Sequence, residues 1–171
     1  MKQHLVIFTG AGISAPSGMP TYRNEKGMWK DADLCSMMSV GGYYENPEKV
    51  LEVLNDMRLK CYNARPNNAH YRIAELEESC EVTVITQNVD DLHERAGSTR
   101  VLHIHGELCK VTSSNDRLNP NYICKYPLNI PISIGDKALD GSQLRTAVTL
   151  FGEYLTELQL QGISLQMQIY L

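Results

Sequence analysis

An α/β fold built on a largely parallel sheet follows from three features of the sequence. Short apolar, β-branched runs recur at Leu5–Phe8, Val82–Thr86 and Val101–His105. Stretches with helical spacing separate them, which is the alternation expected of a parallel sheet. Each run also ends in glycine or polar residues, the kind that line the crevice at the C-terminal edge of parallel strands.

The elements follow in order. Leu5-Val6-Ile7-Phe8 is uniformly apolar, so cover on both faces is expected. Gly10-Ala11-Gly12-Ile13-Ser14-Ala15 turns out of it and opens a helix. Residues 16–45 are rich in Gly, Pro, Ser and Asn and read as loop with short helical pieces. Asn46-Pro47-Glu48 starts a helix, with Asn as cap and Pro at the first position, and Val50, Leu51, Leu54, Met57 and Cys61 follow at helical spacing. Pro66-Asn67-Asn68 restarts a second helix, with Ala69, Ile73 and Leu76 on one face. Gln87-Asn88-Val89-Asp90 and a short polar helix follow the second strand. Residues 107–144 carry Pro120, Pro127 and Pro131 without periodicity and read as a loop-rich module, and Ala147 to Phe151 read as a fourth strand. Leu155 and Leu158 suit a short helix. Ile163, Leu165, Met167, Ile169 and Leu171 then alternate with polar residues, the pattern of a half-exposed strand.

Composition narrows the function. A chain of 171 residues is long enough for one domain with a sizeable core. A formal net charge of −4 argues against nucleic-acid binding by bulk charge and leaves a basic peptide as a plausible partner. No apolar run spans a bilayer and the N-terminus lacks a signal-peptide core, so a cytoplasmic location without membrane association is expected. The five cysteines are spread without any Cys-x-x-Cys pair and read as reduced thiols.

The chemistry gathers at strand ends. Gly10 to Ala15 satisfies the loose form of a dinucleotide loop, in which glycine admits a pyrophosphate to the backbone at a helix start. A tight strand-to-helix turn would use the same residues. A hydride-transfer enzyme wants an acid at the end of a second strand about 20 residues on; Asp31 and Asp33 lie there without a strand before them. Gln87-Asn88-Val89-Asp90 and His105-Gly106 end the next two strands and converge on the glycine loop. An amide, a carboxylate and an imidazole at one nucleotide site suit chemistry on the nucleotide itself, with His105 the natural base. His103 reads as support, not as a catalyst.

These residues resemble the sirtuins, the NAD-dependent protein lysine deacylases. The resemblance rests on Gly10-Ala11-Gly12-Ile13-Ser14 with Ser17 to Arg23, on Thr86 to His93, on His103-Ile104-His105-Gly106 and on Phe151-Gly152-Glu153, in family order over residues 5–153. It implies a Rossmann-like parallel sheet (about residues 1–22, 66–106 and 145–171) with a small inserted helical and loop module (about 23–65 and 107–144) in one domain. It implies NAD as co-substrate, held by Gly10, Ala11, Gly12, Ile13, Pro20, Tyr22, Arg23 and Trp29 and by Gln87, Asn88, Val89 and Asp90. His105 and Asn88 are the expected catalytic residues, and Phe151, Gly152 and Glu153 the expected peptide-binding strand. Acyl-lysine proteins are the expected partners, and nicotinamide, O-acyl-ADP-ribose and free lysine the products.

The chain departs from the family pattern in three places. The structural-zinc positions fall near Ser113, Asp116, Lys137 and Asp140, none a thiolate, so no zinc is expected, as in some bacterial members. A Tyr-x-x-Arg pair that binds acidic acyl groups falls at Leu54 and Met57, which favours deacetylation over desuccinylation. Beyond Glu153 the Ile-Gly-Thr-Ser loop and later strands of the family find no match, which reads as a sheet incomplete at its C-terminal side and a truncation or frame change near residue 153. A non-catalytic fragment that binds ADP-ribose or a partner is the alternative reading, followed by a nucleotide-dependent oxidoreductase.

Overall fold

The computed structural model describes residues 2–21 and 32–154. Tyr22, Arg23 and Trp29, and the alternating stretch from Ile163, lie outside the described residues. Strand β1 (His4–Thr9) leads into a one-turn helix α1 (Ala11–Ser14). Helices α2 (Ala32–Met37), α3 (Val40–Glu45), α4 (Pro47–Asn63) and α5 (Asn68–Glu75) follow. Next come β2 (Glu81–Thr86), α6 (Leu92–Ala96), β3 (Val101–His103), β4 (Gly106–Ser113), β5 (Cys124–Lys125) and β6 (Leu144–Val148).

The strands form two sheets. One is parallel, in the order β1-β2-β3; the other is antiparallel, in the order β5-β4-β6. In the parallel sheet Thr9 is level with Thr86, and Thr86 with His103. All three strands therefore end on one line, and the segments that follow them open onto the same edge.

Helix α4 starts where the Asn-Pro-Glu signature places it: the Asn46 side chain accepts from Lys49 N–H, and Pro47 fills the first turn. Val50, Leu51, Leu54, Met57 and Cys61 are buried as their spacing predicts, and Arg58 is buried with them. Val50, Leu54, Met57 and Cys61 join a core with Tyr43, Leu92, Leu108, Val148 and Leu150, while Leu51 packs on Val111 and Ile132. One helix thus packs on the antiparallel sheet and, through Leu92, on the helix that follows β2.

Four expectations need correction. Strand β1 is not covered on both faces: Val6 and Phe8 are 55% and 60% exposed, so its burial alternates. The buried face of α5 is His70 with Ile73 and Ala74 partly covered, whereas Ala69 and Leu76 are exposed. The segment 107–144 is not simply helix and loop, because its first part is the eight-residue strand β4. The fourth strand spans Leu144–Val148, starting earlier than Ala147, and it pairs with β4 instead of the parallel sheet.

The chain passes from one sheet to the other at Gly106. Its φ is +78°, and a Cβ there would lie 2.1 Å from the Ala147 carbonyl oxygen. Only glycine meets both conditions.

Candidate active site

A cavity of about 1010 Å³ opens along the aligned strand ends. Ala11 and Gly12 line it from α1, Gln87, Asn88 and Val89 from the end of β2, and His105 from the turn after β3. Leu54 and Met57 reach it from α4, and Phe151, Gly152 and Glu153 close another side. Ala11, Asn88 and Val89 also border a small crevice with Ser14, Met19, Pro20 and Asp90. Gly10 and Ile13 are not on either wall. Gly10 precedes α1 and takes the Asn88 side chain on its carbonyl, and the Ile13 carbonyl takes that of Asn67.

Gly12 is the sharpest sign of a ligand. A Cβ at this position would meet nothing within 4 Å among the described residues. No neighbour among the described residues requires the glycine, and the open space would let a ligand lie against the backbone. The loop that carries it is fastened underneath: Asn88 Nδ2 donates to Gly10 O at 3.2 Å and to Ser14 Oγ at 3.1 Å.

His105 has a defined tautomer. Its Nδ1 lies 2.9 Å from the Gln87 carbonyl oxygen, which can only accept, so Nδ1 carries the proton. That leaves Nε2 to exchange a proton, and it has no partner among the described residues. His103 is 2% exposed, with Nδ1 2.8 Å from the Asn88 carbonyl and Nε2 2.7 Å from Glu94 Oε1. Burial alone would lower its pKa, but the bond and charge of Glu94 overcome burial and raise it to about 9. Glu94, His103 and Glu107 bring ligand-type atoms within 4.8 Å of one another. Both nitrogens of His103 already donate, so it has no lone pair to offer a metal.

Beneath the glycine loop lies a second polar network that the sequence reading missed. Asn67 N–H donates to His70 Nδ1 at 3.3 Å, leaving His70 Nε2 to donate to Ser14 Oγ at 3.4 Å. The available signal was the spacing of Asn67 and His70, a capping box with His in the place of Glu or Gln. His93 completes it, its Nε2 3.0 Å from Thr9 Oγ1; burial, with His70 beside it, lowers its pKa to about 4. Burial also raises the pKa of Asp90, although Leu92 N–H bonds its carboxylate.

The remaining walls were legible only in part. Leu34, Cys35, Met38 and Leu150 line the cavity and carry no motif. Phe151 is held by backbone bonds, its N–H to Met38 O at 3.0 Å and its carbonyl from Val40 N at 2.9 Å. An added peptide strand would have to pair with the neighbouring backbone instead. Glu153 turns its carboxylate to Arg145, Arg117 and Leu150 N–H, so its side chain braces the turn. Arg58 stays off the cavity wall and donates to the carbonyls of Leu108, Pro127 and Ile130. That leaves Leu54 and Met57 as the residues of this helix that face the cavity, as the spacing implied.

The residues at the expected zinc positions do not fit a zinc ion. Ser113 Oγ donates to Asp140 Oδ2 at 2.6 Å, lies 2.9 Å from Ser142 Oγ and accepts from the N–H groups of Asn115 and Asp116. Asp140 also takes both the N–H and the hydroxyl of Ser142. The donors and acceptors satisfy one another, and no thiolate stands among them.

Comparison with known proteins identifies the family. The Sir2 family profile matches residues 10–168. A protein of Helicobacter pylori named NAD-dependent protein deacylase is 46% identical over 99% of this chain and 71% of its own length. A Bacteroides thetaiotaomicron protein of the same name is 45% identical over 92% of this chain and 68% of its own. Among solved structures, a Sir2 homologue in complex with ADP-ribose superposes with a TM-score of 0.82 at 38% identity, over 94% of this chain and 64% of that one. A Sir2 homologue–NAD complex gives 0.76 at 39% identity, over 90% and 59%. The chain therefore spans less than two thirds of either solved relative. Among the described residues no helix is long and apolar enough to cross a membrane.

Proposed function

Because the chain belongs to the Sir2 family, we propose that it is an NAD-dependent protein-lysine deacylase that favours the acetyl group. One observation carries this reading. The glycine turn, the Gln87–Val89 strand end, His105 and the Phe151–Glu153 turn border a single cavity, with His105 fixed in the tautomer of a base.

The residues divide the work. Ala11, Gly12, Gln87, Asn88 and Val89 would hold NAD along the strand ends. Bound NAD supplies an electrophilic sugar carbon and a neutral leaving group, nicotinamide. His105 accepts a proton at Nε2 from a sugar hydroxyl, the role of a general base near neutral pH. Asn88 keeps the glycine turn against the strand end, and Asp90 borders the adjoining crevice. Leu34, Met38, Leu54 and Met57 exclude water from the acyl-lysine side. Leu54 and Met57 offer an acidic acyl group neither charge nor hydrogen bond, which favours acetyl over succinyl. Zinc plays no part in this reading, nor do nucleic acid or a membrane, and the cytoplasm is its setting.

The test is nicotinamide release from NAD by the 171-residue chain. Release that depends on an acetyl-lysine peptide and is abolished by His105→Ala supports the reading. The second reading is a protein that binds ADP-ribose or a partner without turnover. Thermal stabilisation by ADP-ribose with no nicotinamide release would select that alternative.

A further inference from the structure

Two histidines separated by a single residue hold two consecutive carbonyls: His105 bonds Gln87 O and His103 bonds Asn88 O. Their other nitrogens differ. That of His105 has no partner among the described residues, whereas that of His103 meets the Glu94 carboxylate at 2.7 Å. Neither a carbonyl nor an ionised carboxylate has a proton to give, so the His103 ring must supply both. Burial pushes Glu94 upward, but its bond to His103 more than offsets this and keeps it ionised. The groups that face His103 are His93 and Glu94 from α6, Glu107 from β4 and Asp90 from the loop after β2. Its net surroundings are acidic, and they favour the doubly protonated ring.

His103 is not on the cavity wall. Its reach into the site runs through Asn88, whose carbonyl it holds and whose side chain ties Gly10 and Ser14. The neighbouring Gln87 carbonyl is the group that sets the tautomer of His105. We propose that His103, acting as a two-proton donor between Glu94 and Asn88, is a positioning residue that fixes the Gln87–Asn88 backbone and so aims the base. This rests on the deacylase reading, in which His105 is that base. Glu94, an exposed-side acid of α6, becomes by the same argument a contributor to catalysis at one remove.

Side-chain nitrogen NMR of the whole chain tests this without any substrate. The His103 ring should carry protons on both nitrogens at pH 7 to 8 and titrate near 9. In Glu94→Gln it should titrate at least one unit lower, because the anion that holds the second proton is gone. With acetyl-lysine peptide and NAD, Glu94→Gln should lower kcat about tenfold or more. It should leave KM for the peptide near its original value and move the alkaline limb of the rate profile toward neutrality. Glu94→Asp should restore part of the rate. A singly protonated His103 ring at pH 7, or superimposable pH profiles for Glu94→Gln and the parent, would overturn the proposal. If His105→Ala still releases nicotinamide, the deacylase reading fails, while the NMR result on His103 still stands by itself.

Discussion

The two sheets use the same device to different ends. Along the parallel sheet, side chains grip backbone carbonyls and leave a reactive atom over: His105 bonds Gln87 O by one nitrogen and has no protein partner described for the other. In the antiparallel sheet the grip holds backbone to backbone and, among the described residues, leaves no base facing the cavity. Arg58 feeds three carbonyls, from Leu108, Pro127 and Ile130, and Ser113, Asp140 and Ser142 satisfy one another. Unsaturated polar groups at an edge make chemistry possible, and saturated ones inside a module make a scaffold. The two regions should accordingly fail in different ways.

His105→Ala should break the first region alone. Nicotinamide release should fall about 10²- to 10⁴-fold, the usual worth of a positioned base, with an unchanged melting temperature and retained stabilisation by ADP-ribose. Arg58→Leu should break the second. Stranding one buried and two partly buried carbonyls costs about 3–5 kcal/mol, read as a fall in denaturation midpoint before any change in KM. Ser113→Ala should give a milder version, about 1–3 kcal/mol, and a chelator should leave the melting temperature of the parent chain as it was. A rise in stability on adding zinc would contradict that account of the module. Leu54→Tyr with Met57→Arg, at the border between the regions, should shift the succinyl-to-acetyl rate ratio about tenfold or more.

The smallest effect concerns acid. His93 is neutral in the fold, its pKa lowered from 6.5 to about 4. A lowered value means the folded state resists the proton, so this contribution is intact above about pH 6.5 and is lost as pH falls through about 4. Thermal melts across that window should show the slope, and His93→Gln should flatten it.

What could be read from the sequence follows the same division. Asn46-Pro47 marked the start of α4, and the spacing of the family's Tyr-x-x-Arg pair pointed to Leu54 and Met57, both of which line the cavity. The motif residues at strand ends were visible because polar groups after apolar runs have few other uses. Strand β4 was not visible. Its buried Thr112 and Ser113 look polar in sequence, and they are tolerated because Arg117 O, Asp140 and Ser142 take their hydroxyls. A register shift between Glu107 and Val111 further breaks the alternation. Arg58 was equally opaque, since its partners lie 50 to 72 residues away in sequence. Periodicity reports on solvent and core, and it is silent where polar groups are buried in pairs.

The glycine at which the chain changes sheets has a consequence for anyone who wishes to remake this protein. A saturation library at position 106 should return glycine alone among folded clones, because a methyl group would strike the Ala147 carbonyl. His105 is consequently welded to a junction that mutation cannot explore. A transplant of the antiparallel module from another member would have to keep that junction and its opposite number, Val148, as the seam of the graft. Between those two points any replacement would still have to offer Arg58 its three carbonyls and α4 its apolar partners.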